Sequence, residues 1–164
     1  MLLGLTVLKN DGMKKIKIII IFSLISTSLF AQEVLSLEQA AAIALENNNS
    51  IKVLVSGLRS DKGQVIVEIY SNADSYLKNP CFRKTVIIVK GKASVNFESI
   101  KAGTYAIMCF HDENINNELD LNSKGRPMEK VGVSNNAKGF FGPPKFQAAK
   151  FRIQDEDIIQ NIEL

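Results

Sequence analysis

The spacing of apolar positions changes once along the chain, near residue 50. From Glu33 to Asn49, Leu37, Ala40, Ala41, Ala44 and Leu45 recur at helical spacing. Ser36 stands where an N-cap belongs and Gln39 completes a capping box, so the pattern predicts a helix that Asn47-Asn48-Asn49 stops. Beyond it the period is two. Ile51, Val53 and Val55 form one alternating run, and Val65, Val67 and Ile69 form the next. Arg59-Ser60-Asp61-Lys62-Gly63 lies between them and predicts a hairpin turn. Val86 to Val89 is unbroken apolar sequence and predicts a central strand. Gly91-Lys92 turns the chain into an alternating Val95-Asn96-Phe97, and Ala102-Gly103 introduces Thr104 to Phe110. Phe146 to Ile153 and Ile158 to Leu164 supply two last strands, and Asn72 to Pro80 leaves room for one helical turn. About seven short strands with Gly, Asn, Asp and Pro turns predict an all-β fold, an antiparallel Ig-like or prealbumin-like sandwich.

One interruption stands out. From Asp112 to Pro144 hardly any period-two pattern survives, and the stretch holds three of the four prolines and four glycines. An unstructured loop of this length inside a compact domain is usually functional or held by something. It opens Asp112-Glu113-Asn114-Ile115-Asn116-Asn117-Glu118-Leu119-Asp120, with oxygen-bearing side chains at every second position. This matches the first nine positions of an EF-hand-type loop, with Asn117 in place of the glycine. A hard cation such as Ca2+ takes six to eight oxygens, and alternate residues of a tightly wound loop point inward together. Asn enters the left-handed backbone region more readily than most residues, so position six is still served. The expected ligands are Asp112, Asn114, Asn116, Glu118 and Asp120. Ser123 stands where an EF-hand carries its bidentate Glu, so Glu129 is expected to complete the shell, with Asn122 the weaker candidate. Leu119 is expected to anchor the loop in the core. The alternative is a solvated acidic hairpin whose Asn residues only make turns.

Charge narrows the function classes. The net charge of +3 resides in the first 32 residues; the remainder has 16 basic and 16 acidic groups out of totals of 20 and 17. No basic field remains to attract phosphates, which argues against nucleic-acid binding. Met13-Lys14-Lys15-Ile16-Lys17 is a positive n-region, followed by an apolar core from Ile18 to Phe30 and a small residue, Ala31. That is signal-peptide anatomy rather than a spanning helix, with cleavage expected after Ala31 and Met13 the expected initiator. The chain thus divides into a leader over 1–31, a helix and linker over 32–50, and a sandwich over 51–164. No transmembrane span is expected after cleavage, and an exported, periplasmic or extracellular location follows. The only cysteines, Cys81 and Cys109, would meet an oxidising compartment. Their count permits one disulfide; two separate thiols are the other reading, and spacing does not choose.

Other chemistry is sparse. His111 is the only histidine and is expected to be a hydrogen-bonded structural residue. Cys109 lies two residues away on the same strand face, roughly 6.5–7 Å along a strand and too far for easy proton transfer. No nucleophile elbow, phosphate loop or HExxH pattern occurs. Gly142-Pro143-Pro144 stiffens the approach to the next strand. Phe140 and Phe141 beside it offer an apolar rim, although at least one is expected to pack over the open end of the sandwich.

Two resemblances follow. Gly103-Thr104-Tyr105-Ala106-Ile107, His111-Asp112-Glu113-Asn114, Asn116, Leu119-Asp120, Gly125-Arg126-Pro127-Met128-Glu129, Gly132-Val133-Ser134-Asn135-Asn136 and Gly142-Pro143-Pro144-Lys145-Phe146 resemble the bacterial domain of unknown function family 2141, over about 51–153. That resemblance implies a secreted or periplasmic sandwich without an established activity. Asn117 stands where that family commonly has glycine, and Lys130-Val131 where it commonly has Gly-Tyr; the first departure bears on metal binding and the second on the loop surface. Separately, the stretch from Leu35 to Asn48 resembles the mature start of TolC-like outer-membrane efflux proteins. The long helical barrel is absent, so transport does not follow, and a leader and first helix fused to a sandwich is the reading adopted.

The expected function is an exported, non-enzymatic binding or structural module with a calcium-type loop. Its long-loop surface, around Glu129, Asn135, Asn136, Phe140 and Phe141, would meet a protein or glycan. The alternatives are a small exported hydrolase using loop carboxylates, and a metal-free structural domain.

Overall fold

The computed structural model describes residues 49–164 and Gln39. The leader, the efflux-like stretch and the helix expected over Glu33–Asn49 lie outside the described residues, save exposed, helical Gln39 and Asn49, which opens the first strand. β1 (Asn49–Ser56) obeys period two: Ile51, Val53 and Val55 are buried and Lys52 is exposed. β2 (Gln64–Tyr70) and β5 (Gly103–Asp112) instead bury both faces. The other strands are β3 (Phe82–Ile87), β4 (Ala93–Ile100), β6 (Val131–Val133), β7 (Phe151–Ile153) and β8 (Ile158–Glu163).

These strands build an all-β sandwich. One sheet has the order β4-β1-β8, and the other β3-β2-β5-β6, with β7 beside the first half of β5. Between them lie Ile51, Val53, Val55, Val65, Val67, Ile69, Phe97, Ile107, Cys109, Ile153 and Ile162, all at most 2% exposed. A second apolar cluster, around Tyr70, Tyr76, Ala106, Val133 and Ala149, gathers alternate side chains of β2 and β5 that the central core does not use. The chain segment after Asp112 therefore has an apolar sheet face to cover. Tyr105 braces the β4–β5 corner by donating its hydroxyl hydrogen to the Lys101 carbonyl at 3.0 Å. No helix among the described residues is long and apolar enough to cross a membrane.

Several expectations are corrected. Among the described residues there are eight strands, and β1 pairs with β8 in parallel, Ile51 opposite Ile158, so the sandwich is not wholly antiparallel. Arg59–Gly63 is not a hairpin turn: β1 pairs with β4 and β8, β2 with β3 and β5, and the segment carries the chain between sheets. Alternation marks which face is buried, not which strand lies alongside.

The Val86–Val89 run is not central either. β3 is an edge strand paired only with β2, and Ile87 and Val89 remain 76% and 56% exposed. On that edge Lys84 donates to the Asn96 carbonyl at 2.8 Å and lies 5.2 Å from the centre of the Phe97 ring. A lysine there discourages pairing with another chain. Phe146–Ile153 is not one strand: α1 (Phe146–Ala149) precedes β7. Phe146 and Ala149, three apart, both reach the outer cluster, which one helical turn allows and an extended chain does not. β6 was not foreseen.

Candidate functional site

The long loop leaves the end of β5, where Asp112 lies opposite Gln64 in register. Gly63, with φ +80°, lies so close beneath that a Cβ would stand 2.2 Å from the Asp112 carbonyl oxygen. Asp112 is fully buried. One of its carboxylate oxygens accepts from Gln64 Nε2 at 2.8 Å and the Asn117 amide at 2.9 Å; the other accepts from the Asn116 amide at 3.2 Å. Burial alone pushes this carboxyl up, but hydrogen bonds from Gln64 and the Asn117, Asn116 and Ile115 amides outweigh it. Asp112 therefore titrates below the usual carboxylate range. Gln64 Nε2 also reaches Asn117 Oδ1 at 3.0 Å, tying the loop to β2 twice.

The next residues wind tightly. Ile115 and Asn117 have φ of 62° and 64°, so Asn117 takes the left-handed conformation its place in the pattern requires. Asp120 accepts from Asn114 Nδ2 at 2.7 Å and Asn116 Nδ2 at 3.0 Å, one on each carboxylate oxygen. Asn114 Oδ1 accepts from the Asn116 amide at 3.1 Å, and Asn116 Oδ1 from the Glu118 amide at 2.8 Å. The side chains of Asn114, Asn116 and Asp120 are thus joined directly, and Asp112 is tied to them through the Asn116 backbone amide.

Glu129 and Glu118 behave differently. Glu129, 9% exposed, accepts the Glu113 amide on one oxygen at 3.1 Å and the Asp120 amide on the other at 3.2 Å. It brackets both ends of the loop. Glu118 has an exposed side chain and lines a cleft on the outer sheet face. In an EF-hand loop the seventh position supplies a backbone carbonyl, so an exposed Glu118 side chain leaves the pattern intact. Leu119 is half-buried and lines the same cleft rather than anchoring in the core. Asn122 closes a neighbouring turn through the Lys124 and Arg126 amides, both at 3.0 Å. Among the described residues no three of His, Cys, Asp and Glu group so as to hold a metal ion. Asn114 and Asn116 turn their NH2 groups, not their oxygens, toward Asp120, and both carboxamide oxygens accept loop amides.

Two partners in the site escaped sequence reasoning. Gln64 and Arg83 are distant in sequence and belong to no local motif. Arg83 pairs with Glu68 at 2.8 Å and holds the Asn117 carbonyl oxygen with its other terminal nitrogen. His111 is fully buried and its Nε2 meets the Lys62 carbonyl oxygen at 2.7 Å, a structural tie of the expected kind. Its Nδ1 faces Glu113 Oε1 at 3.7 Å, and neither atom has a hydrogen-bond partner. Cys81 and Cys109 are separate thiols, one exposed and one buried. Asn135 and Asn136 serve the fold: Asn135 donates to the Ala148 and Lys150 carbonyls, and Asn136 accepts the Glu163 amide. Lys130, one of the departures noted above, ties oxygens of Gly57 and Leu164 at 2.7 and 3.0 Å. Phe140 and Phe141 do not pack over the sandwich: they are 91% and 96% exposed.

The pattern of a bacterial family described as an uncharacterized protein conserved in bacteria, DUF2141, matches residues 53–161. The chain belongs to this family. The match spans β1 to β8 and includes the whole loop, while the efflux-like stretch falls outside it. Comparison with curated proteins and with solved structures finds no match. The DUF2141 assignment carries no activity with it.

Proposed function

We propose that this DUF2141 domain is an exported, non-enzymatic binding or structural module whose long loop is clamped by a calcium ion. The observation that carries the reading is a loop wound around left-handed Asn117 in which Asp120 holds Asn114 and Asn116 and Asp112 holds the Asn116 and Asn117 amides. Asp112, Asp120 and the two carboxamides would hold the ion, with the Glu118 carbonyl at the seventh position. Glu129, already engaged by two amides, supports the loop from behind. The apolar run up to Phe30 supports export, and the missing nucleophile and phosphate motifs support a non-enzymatic role.

Melting curves with calcium, magnesium and chelator test this. Calcium should stabilise by about 2.7 kcal/mol at a hundred times its dissociation constant, with magnesium much weaker. Asp112→Ala is a poor probe, since it also removes hydrogen bonds to Gln64 and two loop amides. Asp120→Asn keeps one acceptor oxygen and removes a charge, so it should abolish the calcium shift while sparing most ion-free stability. No calcium shift in the parent would leave a metal-free structural domain. Unchanged stability with lost turnover on some substrate would mean a hydrolase.

A further inference from the structure

The outer face of the five-stranded sheet carries an open cleft of about 1050 Å³. Half-buried Met108 lies at its base above buried Tyr70, Phe110 and Val133, the Leu119–Pro127 stretch forms one wall, and the Phe140–Pro144 stretch the other. Small-molecule sites are mostly apolar clefts of this order of size, with a few placed polar groups. Two observations suggest what fits.

The first is charge. Glu68, 8% exposed, is fully engaged: it accepts from the Tyr70 hydroxyl at 2.5 Å and pairs with Arg83 at 2.8 Å. Burial and this carboxylate push the Tyr70 phenol well above its usual range, keeping it protonated. The other two charged residues of the cleft are Arg126 and Glu118, one of each sign and both exposed. Two positive and two negative side chains cancel, so the cleft has no net field to select an ion.

The second is apolar exposure. Leu121, Val131, Phe140 and Phe141, among the exposed large apolar side chains, all line this cleft. Phe140 and Phe141 meet edge to face with centroids 4.7 Å apart. They sit on a loop that only glycine closes: a Cβ at Gly139 would lie 1.9 Å from the Gly142 carbonyl oxygen. A tight turn followed by Pro143-Pro144 thus holds two rings in water, where they contribute nothing to the core.

We propose that this cleft binds an uncharged, mainly apolar small molecule. An aromatic or alkyl body would lie over Met108 between Leu121 and Val131 and the rings of Phe140 and Phe141, with a hydroxyl, carbonyl or amide directed to Arg126 and Glu118. This rests on the binding-module reading and narrows its partner, but requires no ion.

The test is fluorescence titration of the purified protein with neutral N-phenyl-1-naphthylamine and with anionic 1-anilinonaphthalene-8-sulfonate, each with calcium and with chelator. The neutral probe should bind saturably, one per chain, and at least tenfold more weakly to a Phe140→Ser, Phe141→Ser double variant. Both rings are exposed, so that variant should keep its melting temperature. Ile87→Ser, in the separate cleft beside β3, should leave affinity within twofold. Glu118→Gln should improve the anionic probe relative to the neutral one. Non-saturable binding, an unaffected double variant, or a sulfonate bound tenfold tighter than the neutral probe would overturn the inference. So would phenylalanine-dependent binding to phosphatidylcholine vesicles, a glycan or a protein without one-to-one probe binding. Probe binding that survives without any calcium melting shift would sink the ion and leave the cleft.

Discussion

Glu129 gives the sharpest measure of whether the loop is built as described. Its two oxygens accept the Glu113 and Asp120 amides at 3.1 and 3.2 Å, so one side chain closes a loop between two points seven residues apart. A hydrogen bond to a charged group contributes about 1.5–3 kcal/mol, and a buried donor left unpaired costs about 1–3 kcal/mol. Both bonds are long and only part-buried, which favours the lower end. Glu129→Ala should therefore cost about 2–3 kcal/mol. Glu129→Gln keeps one oxygen but turns an NH2 toward an amide donor, and should cost about half as much by the same reckoning.

Urea unfolding in chelator is the assay, so that no ion contributes. A shifted midpoint with unchanged slope assigns the loss to stability rather than to a changed unfolded state. Amide exchange at Glu113 and Asp120 should quicken together in the alanine variant, because one carboxylate holds both. An alanine variant within roughly 0.5 kcal/mol of the parent, the range of ordinary surface substitutions, would refute the bracket. Equal losses in the two variants would refute the division between the two oxygens.

Three further outcomes follow from the geometry. Asp112 has a lowered pKa when folded, so its contribution is complete above the unfolded value of about 3.9 and is lost as pH falls through the folded one; below about pH 4 the parent's urea midpoint should fall more steeply than that of Asp112→Asn. Gly63→Ala must place a Cβ against the Asp112 carbonyl at positive φ, and should cost at least about 2 kcal/mol on thermal melting. Cys109 is buried, its thiol pushed up by that burial, while Cys81 is exposed; a thiol reagent should label one cysteine in the native protein and the second only in denaturant.

Much of this architecture was legible because burial on one face leaves a period in the sequence. Ile51, Val53 and Val55 announce β1, and the buried core alternates as expected. The same signal misled where both faces are apolar: Val86–Val89 reads as central although Ile87 and Val89 face water at the sheet edge. Pairing was not legible at all, since nothing in β8 distinguishes a parallel neighbour from an antiparallel one. At the loop, alternate oxygens and the left-handed Asn117 were readable from local spacing. Gln64 and Arg83 were not, because they reach the loop across the sheet. Ile66, Glu68 and Tyr70 did carry a hint. A strand with apolar or aromatic residues on its second face needs a cover, and Tyr76, Phe146 and Ala149 supply part of it.

The loop's own hydrogen bonds set how tightly an ion can be held. Asp120 already occupies both oxygens with Asn114 and Asn116, and Asp112 is engaged by Gln64 and two amides. An ion must displace the two carboxamide donors before those side chains can offer oxygens. Two carboxylates are engaged with the loop's Asn residues, while Glu118 is exposed and lines the cleft and Glu129 serves backbone amides. Calcium affinity in such loops rises with ligand charge and rigidity, and spans about 10⁻⁹ M in buffers to about 10⁻³ M in extracellular modules. If calcium binds as proposed, two charges and a competing hydrogen-bond set would place this loop at the weak end, with a dissociation constant of about 10⁻⁴–10⁻³ M. On that proposal, melting temperature against calcium concentration should rise only in the millimolar range. Saturation at micromolar calcium or below would mean that the loop rebuilds itself around the ion rather than accepting it in this shape.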